Sequence, residues 1–294
     1  MECFGIVVKS IVTVWDRPLE TKIHKEKSII SSIADELLYG MEVKIIGEEV
    51  NEYYPVMTWY HYLGYVKKEE IEIVPLSGAV DWENQNLMVT DGALCDVLSL
   101  PSVQGIRLIS LPKGALLHVL ESEEVGWSKV LLLDGREGYI QNQYLREKKF
   151  SQSGVWTGRL PQRKIVDEDA FRKAVTDTAK QYLGTQYRWG GKSSLGIDCS
   201  GLTSASYFLN GILIFRDARI EPGYPVHEIG KEEMLPGDLL YFPGHIAMYL
   251  GNGFYIHSTG YLGKSGVVIN SLNPNEKNYR ADLVERWYAS GSIF

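Results

Sequence analysis

Cysteine is scarce in this 294-residue chain, and basic residues are outnumbered by acidic ones. The three cysteines, Cys3, Cys95 and Cys199, are too few for a disulfide framework, and none lies in a CxxC pair typical of structural zinc. The net charge of −7 argues against a nucleic-acid partner, because phosphate binding depends on basic patches. No apolar run reaches the about 18 residues of a membrane-spanning helix, so no membrane partner is expected.

The motifs of nucleotide and dinucleotide binding are also missing, so we expect neither an organic cofactor nor a metal ion. The N-terminal segment MECFGIVVKSIVTVWD lacks the basic region and small-residue cleavage site of a signal peptide. A cytoplasmic location is therefore expected. The chain is also expected to be a monomer. An exported mature chain whose leader has been removed is the alternative.

The first half of the chain repeats itself with an offset of 74 residues. Each copy has a turn glycine, strands of alternating pattern and a Gly-aromatic-aliphatic strand, without helical periodicity. Among the matched positions are Gly40 and Gly114, Val56 and Val130, and Gly64-Tyr65-Val66 and Gly138-Tyr139-Ile140. This pattern predicts two small all-β barrels, at residues 1–76 and 77–148.

A polar segment at residues 149–167 indicates a linker, and the pattern changes after it. Helical spacing over Glu168–Leu183 and again after Cys199 predicts two helices. Four strands separated by glycine-rich turns follow: Asp238–Phe242, Ile246–Leu250, Phe254–Ser258 and Val267–Ser271. Helices followed by an antiparallel sheet predict an α+β domain at residues 168–294.

Cys199 is the candidate nucleophile. A glycine-rich loop leads into Asp198-Cys199-Ser200-Gly201 and directly into a helix. At a helix N-terminus, the dipole and the free backbone N–H groups favour the thiolate, so we expect a lowered pKa. A buried structural cysteine at a helix start is the alternative.

Two histidines are candidate partners of this thiol. His245 begins one strand and His257 lies on the next, across the hairpin turn Gly251-Asn252-Gly253. Their even separation of 12 predicts, unless a bulge intervenes, that they lie close on related faces. One imidazole could then take the thiol proton while the other orients it.

These residues resemble a known family, the NlpC-type bacterial cysteine peptidases of cell-wall peptides. The resemblance covers roughly residues 170–290 and rests on motifs in order: Tyr187-x-Trp189-Gly190-Gly191, Asp198-Cys199-Ser200-Gly201, Gly237-Asp238-Leu239, Gly244-His245-Ile246-Ala247-Met248-Tyr249 and His257-Ser258. It implies an α+β papain-like cysteine peptidase domain preceded by two small all-β SH3-like barrels. It also implies a triad of Cys199 as nucleophile, His245 as general base and His257 as orienting residue.

The segment Phe215-Arg216-Asp217-Ala218 resembles the Arg-Asp motif of the dipeptidyl-peptidase VI branch, the γ-D-glutamyl-L-diamino-acid endopeptidases. The resemblance implies that Asp217, in a closed pocket, binds the free α-amine of an N-terminal L-alanine. Tyr187, Asp198 and Ser200 match positions that help line this amine site. A surface ion pair of Asp217 with Arg216 or Arg219 is the alternative.

In that branch the first barrel also caps the free end of the substrate with a glutamate and a tyrosine. Glu36 is the candidate glutamate, and Tyr60 or Tyr62 is the candidate tyrosine. A tyrosine on an ordinary sheet face is the alternative. The expected partner is thus a murein-derived peptide.

The expected activity is hydrolysis of the γ-D-glutamyl–diamino acid bond in murein peptides with a free N-terminal L-alanine. The products are L-Ala-γ-D-Glu and the remaining peptide, which suits cell-wall peptide recycling. Two other enzymes stay open: a peptidase of intact peptidoglycan without an amine gate, and a zinc hydrolase using Cys199, His245 and His257. A binding protein with an inactive third domain is a further alternative.

Overall fold

A computed structural model describes residues 2–18, 22–23, 29–30, 33–122, 126–152 and 162–294. The chain divides into two compact units, Met1–Arg159 and Leu160–Phe294. Every helix among the described residues is too short or too polar to span a membrane.

The first unit is almost entirely β-structure, as its alternating pattern predicts. Its first half contains β1 Cys3–Val7, β2 Ile11–Trp15, β3 Lys22–Ile23, β4 Ile29–Ile30, β5 Ile33–Leu38, β6 Glu42–Ile45, β7 Tyr53–Thr58, β8 Leu63–Lys67 and β9 Ile71–Pro75. After helix α1 Leu76–Glu83 come β10 Leu87–Thr90, β11 Leu94–Leu98, β12 Arg107–Pro112, β13 Leu116–Ser122, β14 Trp127–Leu131, β15 Glu137–Gln141 and β16 Leu145–Glu147.

The two seven-stranded sheets of this unit have the same strand order. The first runs β5-β2-β8-β7-β6-β1-β9 and the second β12-β11-β15-β14-β13-β10-β16. From β5 onward the matching strands start 74 residues apart, and Val56 and Val130 are both fully buried. The repeat in the sequence is therefore a repeat of architecture, consistent with two SH3-like barrels.

Gly40 lies where the two sheets meet. Its φ of +78° is in the left-handed region that favours glycine. A Cβ at Gly40 would lie 2.8 Å from the Cβ of Leu116 and 3.1 Å from the ring of Trp82. The Trp82 indole donates to the Gly40 carbonyl at 2.9 Å. The turn glycine thus allows both a backbone conformation and a close packing contact.

The second unit packs two helices against one antiparallel sheet. Its elements are α2 Glu168–Lys180, β17 Lys192–Ser193, β18 Gly196–Ile197, α3 Cys199–Phe208, β19 His227–Ile229, β20 Leu239–Phe242, β21 His245–Gly251, β22 Phe254–Thr259, β23 Gly266–Ser271, α4 Ala281–Val284 and β24 Ala289–Ser292. The sheet runs β19-β24-β20-β21-β22-β23. The predicted helices and the four predicted strands are confirmed to within a few residues.

Asp238 anchors the start of β20 to helix α2. Its buried carboxylate accepts hydrogen bonds from Arg172 at 2.8 Å, from Ser292 at 2.7 Å and from the Leu235 N–H at 2.8 Å. A buried carboxylate with this many donors is satisfied and costs little to bury. The Gly237-Asp238 turn therefore sets where the central strands begin relative to the helices.

The predicted order of architectures is confirmed: all-β sheets precede an α+β unit in which helices pack against an antiparallel sheet. The boundary between the two units falls between Arg159 and Leu160. The predicted linker is 149–167, of which residues 153–161 lie outside the described residues. The finer domain boundaries stay predictions.

Replacing Gly40 with alanine should destabilise the first unit more than the same change at Gly135. Both have φ near +80°, which costs an alanine about 1–2 kcal/mol, but an added Cβ meets nothing within 4 Å at Gly135. Overpacking against Leu116 should add about 1–3 kcal/mol at Gly40. Urea unfolding of both variants measures the difference, and equal losses would contradict the packing role of Gly40.

Candidate active site

The site is built around the first turn of α3. Asp198 is the N-cap residue, and its Oδ1 accepts the Gly201 N–H at 2.6 Å. Its Oδ2 accepts the Gly190 N–H at 2.9 Å. A Cβ at Gly201 would collide with the carbonyl oxygen of Gly191, so the loop and the helix start pack backbone to backbone. Cys199 is thereby held as the first residue of the helix.

Arg216 completes this arrangement from a distant loop. Its guanidinium, 2% exposed, lies 3.1 Å and 3.0 Å from the two carboxylate oxygens of Asp198. It also donates to the Ser200 hydroxyl at 2.7 Å and to the Gly190 carbonyl at 3.1 Å. Arg216 is therefore a buried partner of Asp198.

The thiol of Cys199 is buried, with 7% of the residue exposed. Burial, followed by the charge of Asp198, raises its pKa to about 11, while the backbone N–H groups of Ile246 and Ser200 lower it by less. The expectation of a lowered pKa is wrong, because desolvation of the thiolate outweighs the helix N-terminus. The Ile246 contact places the thiol beside the residue that follows His245.

A β-bulge puts the two histidines on one face of the sheet. The register of β21 and β22 shifts between Tyr249 and Gly251, which leaves one extra residue in β21. Without it, His257 would lie opposite Met248, whose side chain points away from the face of His245. The sequence-based prediction assumed a hairpin without a bulge. That assumption is wrong, but the two histidines do share a face, because the bulge brings them onto it.

The imidazoles are hydrogen-bonded to each other. His245 Nε2 and His257 Nδ1 are 2.7 Å apart, and the rings meet edge to face. His257 is fully buried and His245 partly exposed. Burial lowers the pKa of both, and a charge on His257 lowers the pKa of His245 further. Burial therefore favours the neutral form of the thiol and of both imidazoles at rest.

Sequence reasoning missed Asn270 on β23. Its Oδ1 lies 2.9 Å from His257 Nε2, and the residue is 4% exposed. In the sheet register, Val268 lies opposite His257, so Asn270 is the diagonal neighbour on the same face. The available signal was an amide residue directly after the apolar run Val267–Ile269 of strand β23.

Tyr187 lies close to the thiol. Burial, and then the charges of Cys199 and Asp198, raise the pKa of its phenol. A Cβ at Gly260 would lie 3.4 Å from the Tyr187 ring, so the ring packs on the loop that follows the strand of His257. Tyr187 is thereby placed between the nucleophile loop and that strand end.

The Asp217 side chain is 41% exposed, so the expectation of an enclosed carboxylate does not match this structure. Its nearest oxygen is 4.0 Å from Arg219, whose guanidinium donates to Glu221 at 2.7 Å. The charge of Asp217 also raises the pKa of Tyr224, after burial and the charge of Glu221. Asp217 therefore lies in a polar loop next to an aromatic side chain.

Glu36 and Tyr60 are both buried within the first unit, at 4% and 7% exposure. The Tyr60 hydroxyl donates to Asp35, a carboxylate that the sequence argument did not consider. Tyr62 is partly exposed, and its N–H donates to the Thr58 hydroxyl at 2.9 Å. The capping role of Glu36 and Tyr60 stays a prediction.

Among the described residues, no group of three or more His, Cys, Asp or Glu side chains is arranged to hold a metal ion. In the alternative zinc set of Cys199, His245 and His257, one nitrogen of each imidazole is already used: His245 Nε2 and His257 Nδ1 form a hydrogen bond of 2.7 Å.

Replacing Arg216 with methionine should destabilise the second unit by about 3–5 kcal/mol, because it leaves the Asp198 carboxylate buried without its counterion. The control is Arg219→Met: this arginine is 57% exposed, and its surface ion pair should contribute at most about 1 kcal/mol. Urea unfolding measures both. Similar losses in the two variants would refute the structural role assigned to Arg216.

The raised pKa of Cys199 predicts how it reacts with iodoacetamide. Since only the thiolate reacts, the rate should rise about tenfold per pH unit between pH 7 and 9. Peptide-resolved mass spectrometry would separate Cys199 from Cys3 and Cys95. A rate independent of pH in this range would instead reveal a thiolate–imidazolium pair.

Residues 184–286 match the NlpC/P60 family. The chain is 40% identical over 275 residues to dipeptidyl-peptidase 6 of Lysinibacillus sphaericus, covering 92% of this chain and 96% of that protein. It is 33% identical over 191 residues to the γ-D-glutamyl-L-lysine dipeptidyl-peptidase of Bacillus subtilis strain 168, covering 60% of each.

A crystal structure of an NlpC/P60 family protein from Bacillus cereus ATCC 10987 has the same fold. It aligns with a TM-score of 0.72 at 20% identity, covering 98% of both chains. The match thus extends over the all-β half as well as the half with the thiol. Together with the near full-length relative, this shows that the chain belongs to the NlpC/P60 family of cysteine peptidases.

Proposed function

We propose that this peptidase hydrolyses the γ-D-glutamyl–diamino acid bond of murein-derived peptides that begin with a free L-alanine. The products are L-Ala-γ-D-Glu and a peptide or amino acid that starts with the diamino acid. The observation that carries the proposal is the buried thiol at the N-terminus of α3, beside β21, whose first residue His245 is hydrogen-bonded to His257 on β22.

In the first step, Cys199 attacks the carbonyl carbon of the scissile amide. Its thiol is neutral at rest, so His245 must take the proton as the S–C bond forms. His245 Nε2 is engaged with His257, which leaves Nδ1 to accept that proton. The carbonyl oxygen becomes an oxyanion, and backbone N–H groups at the start of α3 are positioned to stabilise it.

In the second step, the C–N bond breaks and His245 returns the proton to the departing amine of the diamino acid. The dipeptidyl group stays on Cys199 as a thioester. A water molecule then attacks the thioester while His245 accepts its proton, and the acid product leaves as the thiol is restored. His257 keeps the His245 ring oriented during both proton transfers.

Asp217 is the proposed partner of the substrate's free α-amine. A carboxylate that meets an ammonium group forms charge-assisted hydrogen bonds, each contributing about 1.5–3 kcal/mol. Tyr187 and Ser200 are proposed to line the same subsite from the nucleophile loop. The Asp198 carboxylate would act there chiefly through Arg216 and the helix cap, since those groups already use its oxygens.

The relatives support this choice of substrate. One is named dipeptidyl-peptidase 6 and another γ-D-glutamyl-L-lysine dipeptidyl-peptidase. We therefore propose the murein peptide as the partner, with Glu36 and Tyr60 of the first unit capping its free end. A cytoplasmic setting in cell-wall peptide recycling follows from the requirement for a free L-alanine, which intact wall does not present.

Cleavage of intact peptidoglycan is the second candidate. The exposed position of Asp217 favours it, because an open carboxylate would reject a blocked N-terminus less strictly than an enclosed one. The two candidates differ in a single property, the discrimination between free and blocked N-termini.

Hydrolysis of L-Ala-γ-D-Glu-L-Lys and its N-acetylated twin, followed by mass spectrometry, separates the candidates. The diaminopimelate version of each peptide is run beside it. Release of L-Ala-γ-D-Glu from the free peptides alone supports the proposed function. Equal cleavage of both would favour the wall enzyme, and cleavage of neither would refute the proposal. Cys199→Ala should abolish turnover while leaving the fold intact.

Asp217→Asn should lower kcat/KM for the free peptide about ten- to a hundredfold, mainly through KM, because it removes the charge that binds the amine. Glu221→Gln is the matched control, since it changes a carboxylate of the same loop that pairs with Arg219. An equal loss on acetylated peptide, or in both variants, would contradict the amine-binding role.

A further inference from the structure

Asn270 is held in one orientation by its surroundings. Its Nδ2 donates to the backbone carbonyl of Asn278, a group that can only accept. The other end of the amide, Oδ1, therefore faces His257 Nε2 at 2.9 Å. Since an amide oxygen can only accept, the hydrogen on His257 must be on Nε2.

The position of the hydrogen on His257 also determines the tautomer of His245. With its hydrogen on Nε2, neutral His257 presents Nδ1 as an acceptor, and the partner 2.7 Å away is His245 Nε2. His245 must therefore carry its own hydrogen on Nε2 and leave Nδ1 unprotonated. In the proposed mechanism Nδ1 accepts the proton of Cys199, and only this tautomer leaves Nδ1 able to do so.

We propose that Asn270 is a positioning residue that selects the catalytic tautomer of His245 through His257. The proposal rests on the proposed function only in its kinetic test, because the tautomers are properties of the free protein. Asn270 acts on His245 through one intervening residue, His257. Its effect therefore does not require contact with the reacting atoms.

The relay crosses three neighbouring strands on one face. His245 on β21, His257 on β22 and Asn270 on β23 form a diagonal row, with Asn270 opposite Tyr255. Without the amide oxygen, the His257 hydrogen could move to Nδ1, and His245 would then carry its own hydrogen on Nδ1, the atom that acts as the base in the proposed mechanism. A buried, hydrogen-bonded amide is thus needed to exclude the inactive tautomer.

The charged groups near this row balance each other. Arg280 lowers and Asp282 raises the pKa of both imidazoles, and the two are joined by hydrogen bonds of 2.7 and 2.6 Å at the start of α4. Their opposed effects leave the Asn270 hydrogen bond as the interaction that raises the pKa of His257 most.

Nitrogen-15 NMR of histidine-labelled protein tests the tautomers directly, with signals assigned by single histidine substitutions. In the wild type both His245 and His257 should be the Nε2–H tautomer. In Asn270→Ala a mixture should appear, and kcat should fall about tenfold or more with KM changed less than twofold. The control Asn278→Ala keeps the backbone carbonyl and loses only a side-chain bond to Ile269, so it should retain both readouts.

Asn270→Asp keeps an acceptor in the same place and adds a negative charge. It should preserve the tautomers and raise the pKa of the imidazole pair, so the acidic limb of the kcat/KM profile should move to higher pH. The deciding readout in this variant is the tautomer: His257 must keep its hydrogen on Nε2, facing the retained acceptor.

An Nδ1–H tautomer of His257 in the wild type would overturn the inference, whatever the activity. So would an Asn270→Ala protein with unchanged tautomers, active or inactive. A wild type with the assigned tautomers that cleaves none of the peptides would refute the proposed function and leave the tautomer assignment supported. Should Asn270→Ala fail to fold, the NMR spectrum of Asn270→Asp decides the question: a His257 hydrogen retained on Nε2 supports the inference, and one moved to Nδ1 overturns it.

Discussion

The buried ion pair between Arg216 and Asp198 is the interaction on which the active site depends. One carboxylate caps helix α3, fixes the Gly190 backbone and neutralises the guanidinium. Cys199 follows Asp198 directly, so the position of the thiol is set by an arginine 18 residues beyond Asp198 in the chain. A buried pair of this kind stabilises the fold only while all its hydrogen bonds are made, which couples the integrity of the nucleophile loop to a single side chain.

The second constraint is the desolvation of the thiol and the two imidazoles. Burial raises the pKa of the thiol and lowers those of the imidazoles, so the resting site is neutral. In a neutral site the nucleophile forms only as its proton leaves, and the arrangement of hydrogens on the base decides whether it can. For this reason the contact between the Asn270 amide and His257 should affect catalysis more in this buried site than it would in a solvated or charged one.

The bulge in β21 shows how one extra residue in a strand determines which side chains meet at the active site. Side chains alternate along a strand, so shifting the register by one moves a residue to the opposite face. The extra residue between Tyr249 and Gly251 brings His245 and His257 onto one face, where β23 adds Asn270. In the first unit the repeated sheets show the contrasting case, in which matched positions such as Val56 and Val130 keep the same buried role without any adjustment.

Local periodicity, turn residues and short motifs were enough to predict the repeated sheets, the helix that starts at Cys199, the strands of the second unit and the peptidase family, because each of these depends on neighbouring residues. The partner of Arg216, the shared face of the histidines, the contact of Asn270 with His257 and the sign of the thiol's pKa shift could be read only from the folded chain. Each of these depends on which distant groups meet and how much water they lose, and a local pattern contains neither quantity.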